Sequence, residues 1–276
     1  KYDGFLRVLA LIRSQKTNRL IEEVNEQGML HSYVKRLLVK GQMDEVKRLL
    51  DIDWVSGNQQ VSVLDVLWSS GHETYAMEWA VGQVNRQLNG DVIVWAMQRC
   101  EATVQYQSEW LMWMSLHVRH TRQMRDYDRL KQMAIRENRW DEVYRQLIMD
   151  VEQSGDKRLL VEIYVHDEKW DLAWRTVRGI EASSEGNGMG LDLYVAQASC
   201  HDYPERAIPV FLKYVHQQIA QRKREGYEEA VRLLLMVQGL YEQDDEYERW
   251  EQVIAKIRMQ YKGLRLLKEE MKRAEL

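Results

Sequence analysis

Leu130-Lys-Gln-Met-Ala-Ile-Arg-Glu-Asn-Arg-Trp140-Asp-Glu-Val-Tyr-Arg145 returns thirty residues later as Leu160-Val-Glu-Ile-Tyr-Val-His-Asp-Glu-Lys-Trp170-Asp-Leu-Ala-Trp-Arg175. Leu, Trp-Asp and Arg recur in register. Met133 and Ile163, Ile135 and Val165, and Val143 and Ala173 recur in kind. A fixed period near thirty, with apolar residues at helical spacing inside each copy, predicts a stack of helical hairpins. Asn138 and Glu168 then fall at the turn between two helices. Val143 and Ala173 follow five positions later, where the second helix must come close to the first.

The same spacing extends outward from this phrase. A turn residue followed five positions later by Ala or Val occurs at Gly41/Val46, Gly71/Ala76 and Asp202/Ala207 as well. Met43-Asp-Glu-Val46 repeats Trp140-Asp-Glu-Val143, and Gly and Asn both tolerate the left-handed conformation that ends a helix. The gap between 71 and 138, about two units wide, predicts a degenerate copy lying within the stretch from Val92-Ile-Val-Trp95 to Trp110-Leu-Met-Trp113. The units expected are about 1–28, 30–58, 60–88, 91–125, 127–155, 157–180, 190–225 and 226–276. Helices are predicted over Phe5–Ile12 and from an N-cap at Thr17 to Gly28. Residues 181–190 read as an exposed loop within the stack. The stripe Trp250, Ile254, Ile257, Tyr261, Leu264, Leu267, Met271, with gaps of three and four, predicts one long C-terminal helix capping the stack. No strand signal survives, so the fold class is all-α: a single α-solenoid of degenerate hairpins.

Composition bounds what such a chain does. The 276 residues carry 39 Lys and Arg against 43 Asp and Glu, a net charge of −4, which lacks the basic excess of a nucleic-acid binder. No run approaches the length of a membrane span. Cys100 and Cys200 do not make a disulfide framework, and the expected location is a reducing cytoplasm. Lys1 in place of a Met points to a piece of something longer. Ten Trp and fourteen Tyr against two Phe suit seams where one ring edge packs and the other meets a polar partner.

Chemistry-bearing motifs are scarce. Cys200-His201 with His166 has ligand types but no ligand spacing. His117 and His120 share a helix face without an acidic partner in the pattern. His72-Glu73 begins like a zincin helix, but Ala76 stands where the second His belongs. Gly186-Asn-Gly-Met-Gly190 lacks a preceding strand and a Walker Lys. Cys100 has no local His. No catalytic, metal or cofactor site is expected, and the chain reads as a non-enzyme. The segment Arg119, His120, Arg122, Arg125, running on to Arg129 and Lys131 and preceded by Trp110 and Trp113, is the candidate partner-binding surface. Basic groups beside aromatic rings suit phosphates or an acidic peptide. Arg222-Lys223-Arg224 is a second basic cluster, explained by the helix dipole. Trp140, Trp170, Trp174, Ala173, Ala207, Ala230 and Trp250 are expected as repeat core. Trp54, Trp68, Trp79 and Trp95 are less bound by the repeat and are candidates to line a concave groove.

The turn-and-Ala pattern resembles tetratricopeptide repeats, most clearly at Ala207/Phe211 and Gly226-Tyr-Glu-Glu-Ala230. The last third is more specific. His201-Asp-Tyr-Pro204-Glu-Arg-Ala207, Tyr227 with Ala230, Leu240-Tyr241, Trp250, and Ile257-Arg258 through Tyr261, Arg265 and Leu267 together resemble the helical-repeat tail of bacterial SWIM zinc-finger proteins. The Cys-x-Cys…Cys-x-His zinc motif of that family is absent, so no zinc ligand carries over. The resemblance implies a role in protein or DNA interactions beside a Snf2-type helicase. The reading of the residues is a non-catalytic scaffold for a protein or peptide partner. The alternative is direct nucleic-acid binding through 117–131.

Overall fold

Left-handed residues stand at the ends of the helices. In the computed structural model, which describes residues 30–50, 57–182 and 190–276, positive φ occurs at Gly41, Gly71, Arg122, Asn138, Gly155, Glu168, Gly190, Arg222 and Asp245, and again at Glu275. Each of the first nine is followed five positions later by a buried residue: Val46, Ala76, Tyr127, Val143, Leu160, Ala173, Val195, Tyr227 and Trp250. The hydrogen bonds explain the spacing. At Gly41, Gly71, Asn138, Glu168 and Asp245 the next residue donates its N–H back five positions, as in Gln42 to Leu37, Arg139 to Ala134 and Lys169 to Tyr164. That is the Schellman closure of a helix C-terminus. The carbonyl of that next residue then accepts the first N–H of the following helix, from Val46, Ala76, Val143, Ala173 or Trp250. One residue thus ends a helix and starts its successor, and the fifth residue after the left-handed one is the first to point inward.

The described residues are helical, with no strand among them. In order these are α1 (Leu30–Val39), α2 (Met43–Leu50), α3 (Gly57–Ser69), α4 (Glu73–Arg86) and α5 (Gly90–Ala102). A 3-10 turn over Val104–Glu109 leads to α6 (Trp110–Thr121), α7 (Met124–Arg136) and α8 (Trp140–Ser154). Then come α9 (Lys157–His166), α10 (Trp170–Ala182), α11 (Leu191–Ser199), α12 (Pro204–Ala220), α13 (Arg224–Gln243), α14 (Tyr247–Gln260) and α15 (Arg265–Arg273). No helix among the described residues is long and apolar enough to cross a membrane. The chain divides into two compact units, residues 1–147 and 148–276. The predicted helices within 1–28, Trp54, and all of the 181–190 loop except its ends lie outside the described residues. Glu181 and Ala182 belong to α10.

The long C-terminal helix needs correction. It is two helices, α14 and α15, separated by a turn over 261–264. Gly263 stands in this break, and Leu264 is extended at φ −91° and ψ 95° to cap α15. The apolar stripe runs on through the turn because spacings of three and four survive a change of helix axis, so periodicity alone hides the break.

In unit 1, indoles join alternate helices by their N–H groups. Trp79 Nε1 donates to the Leu50 carbonyl at 3.1 Å, and Trp95 Nε1 donates to Asp65 on α3 at 2.7 Å. Asn89 caps α5 by accepting from the Asp91 and Val92 N–H groups and donates to Gln60 of α3. In unit 2, Trp174 Nε1 donates to the buried Ser199 Oγ at 3.1 Å, which itself donates to the Val195 carbonyl. Asp192 is buried beneath α12, accepting from Tyr214 Oη at 2.7 Å, Lys213 Nζ at 2.9 Å and the Leu193 N–H. Burial works against this carboxylate, but those donors outweigh it and hold its pKa below the ordinary carboxylate value. Burial, and then the Asp192 acceptor, push Tyr214 up to about 12.

The repeat-core expectation divides. Trp174, Ala173, Ala207, Ala230 and Trp250 are buried. Trp140 and Trp170 are only half-buried, which corrects their assignment to the core. Both open a helix two residues after the left-handed turn, at the rim of the hairpin, and the inward position comes three residues later. Trp140 meets Tyr127 edge-on at 5.8 Å and Tyr144 at 5.4 Å, with the Lys131 ammonium 5.6 Å from its ring. Met43, at the equivalent place in α2, is half-buried too.

Candidate functional site

The 117–131 segment folds as the end of α6, a left-handed turn at Arg122, and α7. The helix periodicity of α6 puts Trp110, Leu111, Trp113, Met114 and Val118 inside. Trp113 is wholly buried and Trp110 is 6% exposed, so neither indole lies on a surface that a partner meets. Their place in the binding set is corrected accordingly: flanking aromatics in a sequence carry no information about which side of the helix they occupy. Trp79 and Trp95 are buried for the same reason, and Trp68 is half-buried.

What remains is a polar ridge with much of its charge engaged. Arg129 reaches Glu101 at 3.0 Å and lies 5.2 Å from the Trp110 ring, while Trp110 Nε1 donates to the same carboxylate oxygen at 3.1 Å. Lys131 sits over Tyr127 and Trp140. Asp126, nearly buried, accepts from Thr121 Oγ1 at 2.9 Å and lies 3.4 Å from His117 Nε2. Arg119 is half-exposed, and His120, Arg122 and Arg125 are exposed. His120 rests against Gly90 at the start of α5, where a Cβ would collide with its imidazole. The three arginines and His120 therefore share one ridge beside Asp126 and Asp128.

The same arrangement of carboxylate, guanidinium and ring recurs elsewhere. Asp65 accepts from both Trp95 and Arg99, whose guanidinium lies 5.4 Å from the Trp95 ring and 5.6 Å from that of Trp68. In unit 2, Arg206 binds Asp171 at 2.8 Å and covers Tyr203 at 4.8 Å. These clusters clamp one helix to a later one, which is a structural use of charge.

Neither thiol is poised to react. Cys100 is fully buried and pushed up to about 12, chiefly by burial and then by Glu109 and Glu101. Burial also raises Cys200. Among the described residues no group of three or more His, Cys, Asp or Glu side chains is arranged to hold a metal ion.

A second surface was not singled out in the sequence. The angle between α14 and α15 encloses a cleft of about 480 Å³ with Ile257, Tyr261, Leu267 and Met271 along its floor and Arg258, Lys262, Lys268 and Lys272 on its walls. An adjoining cavity of about 320 Å³ shares Lys262, Lys268 and Lys272. All four cations are exposed and make no ion pair or hydrogen bond through their side chains among the described residues. The other five arginines of α13–α15 are all paired: Arg224 with Glu228 and Glu270, Arg232 with Glu229, Arg249 with Glu246, Arg265 with Glu269 and Arg273 with Glu270. Tyr261 is held by a 2.7 Å hydrogen bond to His216 Nδ1. In the sequence Lys268 and Lys272 stand toward the end of the last predicted helix, where the helix dipole favours cations. Arg258 and Lys262 join them only because the helix breaks at Gly263.

Comparisons with known proteins add one likeness. A curated Bacillus subtilis (strain 168) protein, "Uncharacterized protein YwqB", is 36% identical over 73 residues, 26% of this chain and 14% of that protein. The chain thus spans a small part of that relative, whose name assigns no activity. No family model matches the chain, and no solved structure does.

Proposed function

We propose that the chain is a non-catalytic helical-repeat scaffold that recognises a protein or peptide partner, its hairpins stacking as a TPR-like α-solenoid. The observation that carries this reading is the shared turn: nine left-handed residues, each followed five positions later by a buried one. A device used this often fixes the inside of the hairpins that carry it and leaves the outside free to vary, which is how repeat proteins present extended binding surfaces. Work beside DNA-related machinery, with a Snf2-type helicase as partner, follows from the resemblance to SWIM zinc-finger proteins alone.

Small-angle scattering tests the stacking. A compact globule of this length has a radius of gyration of about 19 Å. A solenoid is expected well above that value, and a result near it would overturn the stacked arrangement. The alternative reading, nucleic acid on the 117–131 ridge, draws on the exposed His120, Arg122 and Arg125 and the half-exposed Arg119. Titration of a labelled DNA duplex across salt concentrations separates the two. Tight binding that falls steeply with salt, and is lost when Arg119, Arg122 and Arg125 are reversed to Glu, would replace the scaffold reading with the alternative.

A further inference from the structure

We infer that unit 1 holds an ordered water between Trp113 and His117, and that this water completes a relay fixing the α6–α7 turn beneath the basic ridge. Trp113 Nε1 and His117 Nδ1 are both buried, and neither has a hydrogen-bond partner among the described residues. Buried polar atoms are nearly always paired in folded proteins, so two such atoms on one helix call for a shared partner. The residues stand four apart on α6, the spacing that sets side chains one above the other on a single helix face.

The chemistry of the two atoms selects the partner. An indole nitrogen only donates. The role of His117 Nδ1 follows from the other ring nitrogen: Nε2 lies 3.4 Å from Asp126 Oδ2, and a carboxylate accepts, so the proton of the neutral ring belongs on Nε2. Nδ1 is then an acceptor. The shared partner must therefore accept from Trp113 and donate to His117. An ammonium ion only donates and a chloride only accepts, so neither serves both atoms. Water does both, and buried waters commonly bridge polar groups in this way.

From His117 the relay runs on to the turn. Asp126 also accepts from Thr121 Oγ1 at 2.9 Å, and Thr121 Oγ1 accepts from the Gln123 N–H at 3.4 Å. Gln123 directly follows Arg122, the left-handed residue between the helices. Asp126 stands in the first turn of α7, where the helix dipole favours a carboxylate. The wholly buried Trp113 is thereby joined to the backbone of the turn that displays Arg122 and Arg125. The segment thus divides by role: Trp113, His117, Thr121 and Asp126 position the ridge, and the exposed cations form its surface.

Nuclear magnetic resonance on the ¹⁵N-labelled full chain tests this, at about pH 8, above the ordinary imidazole value of about 6.5. Long-range ¹⁵N–¹H correlation is expected to show His117 with its proton on Nε2, and Trp113 Hε1 a cross-peak to a long-lived water. A crystal structure is expected to show an ordered oxygen within about 2.7–3.2 Å of both nitrogens. A proton on Nδ1 in the native chain, a direct bond from Trp113 Nε1 to His117 Nδ1, or an oxygen that reaches only one of them would each overturn the site. Asp126→Asn supplies an amide that can donate to Nε2, so it is expected to move His117 toward the Nδ1–H form. The exposed His120, outside the relay, should keep its tautomer in the same variant. An unmoved His117 in a variant shown by circular dichroism to be folded would remove Asp126 from the relay and overturn the proposal.

Discussion

Two glycines in one helix should respond in opposite directions to the same substitution. Gly226, in the first turn of α13, is buried against the end of α12, and a Cβ placed there would lie 2.6 Å from the Gln218 carbonyl oxygen and 3.7 Å from Gln221 Cβ. The first of these is backbone and cannot swing aside. Gly239, thirteen residues on in the same helix, would meet nothing within 4 Å. Ala is favoured over Gly inside a helix by about 0.5–1 kcal/mol, and this alone governs Gly239→Ala. At Gly226 the same gain is set against overpacking of about 1–3 kcal/mol. The expected net is a loss of about 1–2 kcal/mol, since the oxygen lies well inside van der Waals contact. In thermal unfolding followed by circular dichroism, Gly226→Ala should lower the midpoint by about 3–6 °C and Gly239→Ala should raise it by about 1–3 °C. Equal gains at both sites would refute the close approach of α12 and α13, and with it the argument that Gly226 is required by packing.

Other outcomes follow from the same structure. Trp174→Ala should cost about 3–5 kcal/mol in urea unfolding, whereas Trp140→Ala and Trp170→Ala should cost less, because part of each ring already meets water. Comparable losses at all three would return the rim tryptophans to the core. The depressed pKa of Asp192 stabilises the fold above the unfolded carboxylate value of about 3.9, and this contribution is lost as pH falls through the lower folded value. Asp192→Asn should therefore flatten part of the acid limb of a stability profile, and an unchanged limb would count against the assignment. Tyr214 behaves in the opposite sense. Its folded pKa is raised to about 12, so its contribution is complete below about 10 and disappears as pH rises toward 12; Tyr214→Phe should remove that alkaline loss. Cys100, buried with its pKa near 12, should react with a thiol reagent at pH 8 about a thousandfold more slowly than an exposed cysteine, until denaturant opens the fold. Prompt labelling of the native chain would contradict its burial.

Helix content was legible because apolar spacing, Gly41, Gly71 and Asn138 act locally and in agreement. Glu168 was legible only through the repeat, since glutamate has no preference for a left-handed turn. Arg122, Arg222 and Asp245 take the same conformation, and composition did not single them out as turns. What forces them is the hairpin on either side. Single-residue αL strain is typically about 1–2 kcal/mol, small against the burial it permits. Burial was legible at the fifth position, where close approach is required, and not at Trp110 or Trp113, where the sequence shows an aromatic but not its side. The basic cleft was illegible because it depends on a break at Gly263 that the 3–4 stripe conceals. It also depends on which cations find partners. Arg265 has a glutamate four residues ahead that meets it at 3.0 Å, whereas Arg258 has Lys262 there.

The left-handed residue and the buried one five places later act together as a reading frame. Inserting one residue between them would rotate the following helix by about 100° and carry its inward face toward water, whatever the inserted residue was. Removing one would do the same in the other direction. Substitutions on the outer faces leave the frame untouched. Tolerance to insertion should therefore be least in the five-residue intervals that begin at Gly41, Gly71, Asn138 and Glu168, short stretches rich in exposed polar residues that would otherwise pass for permissive turns.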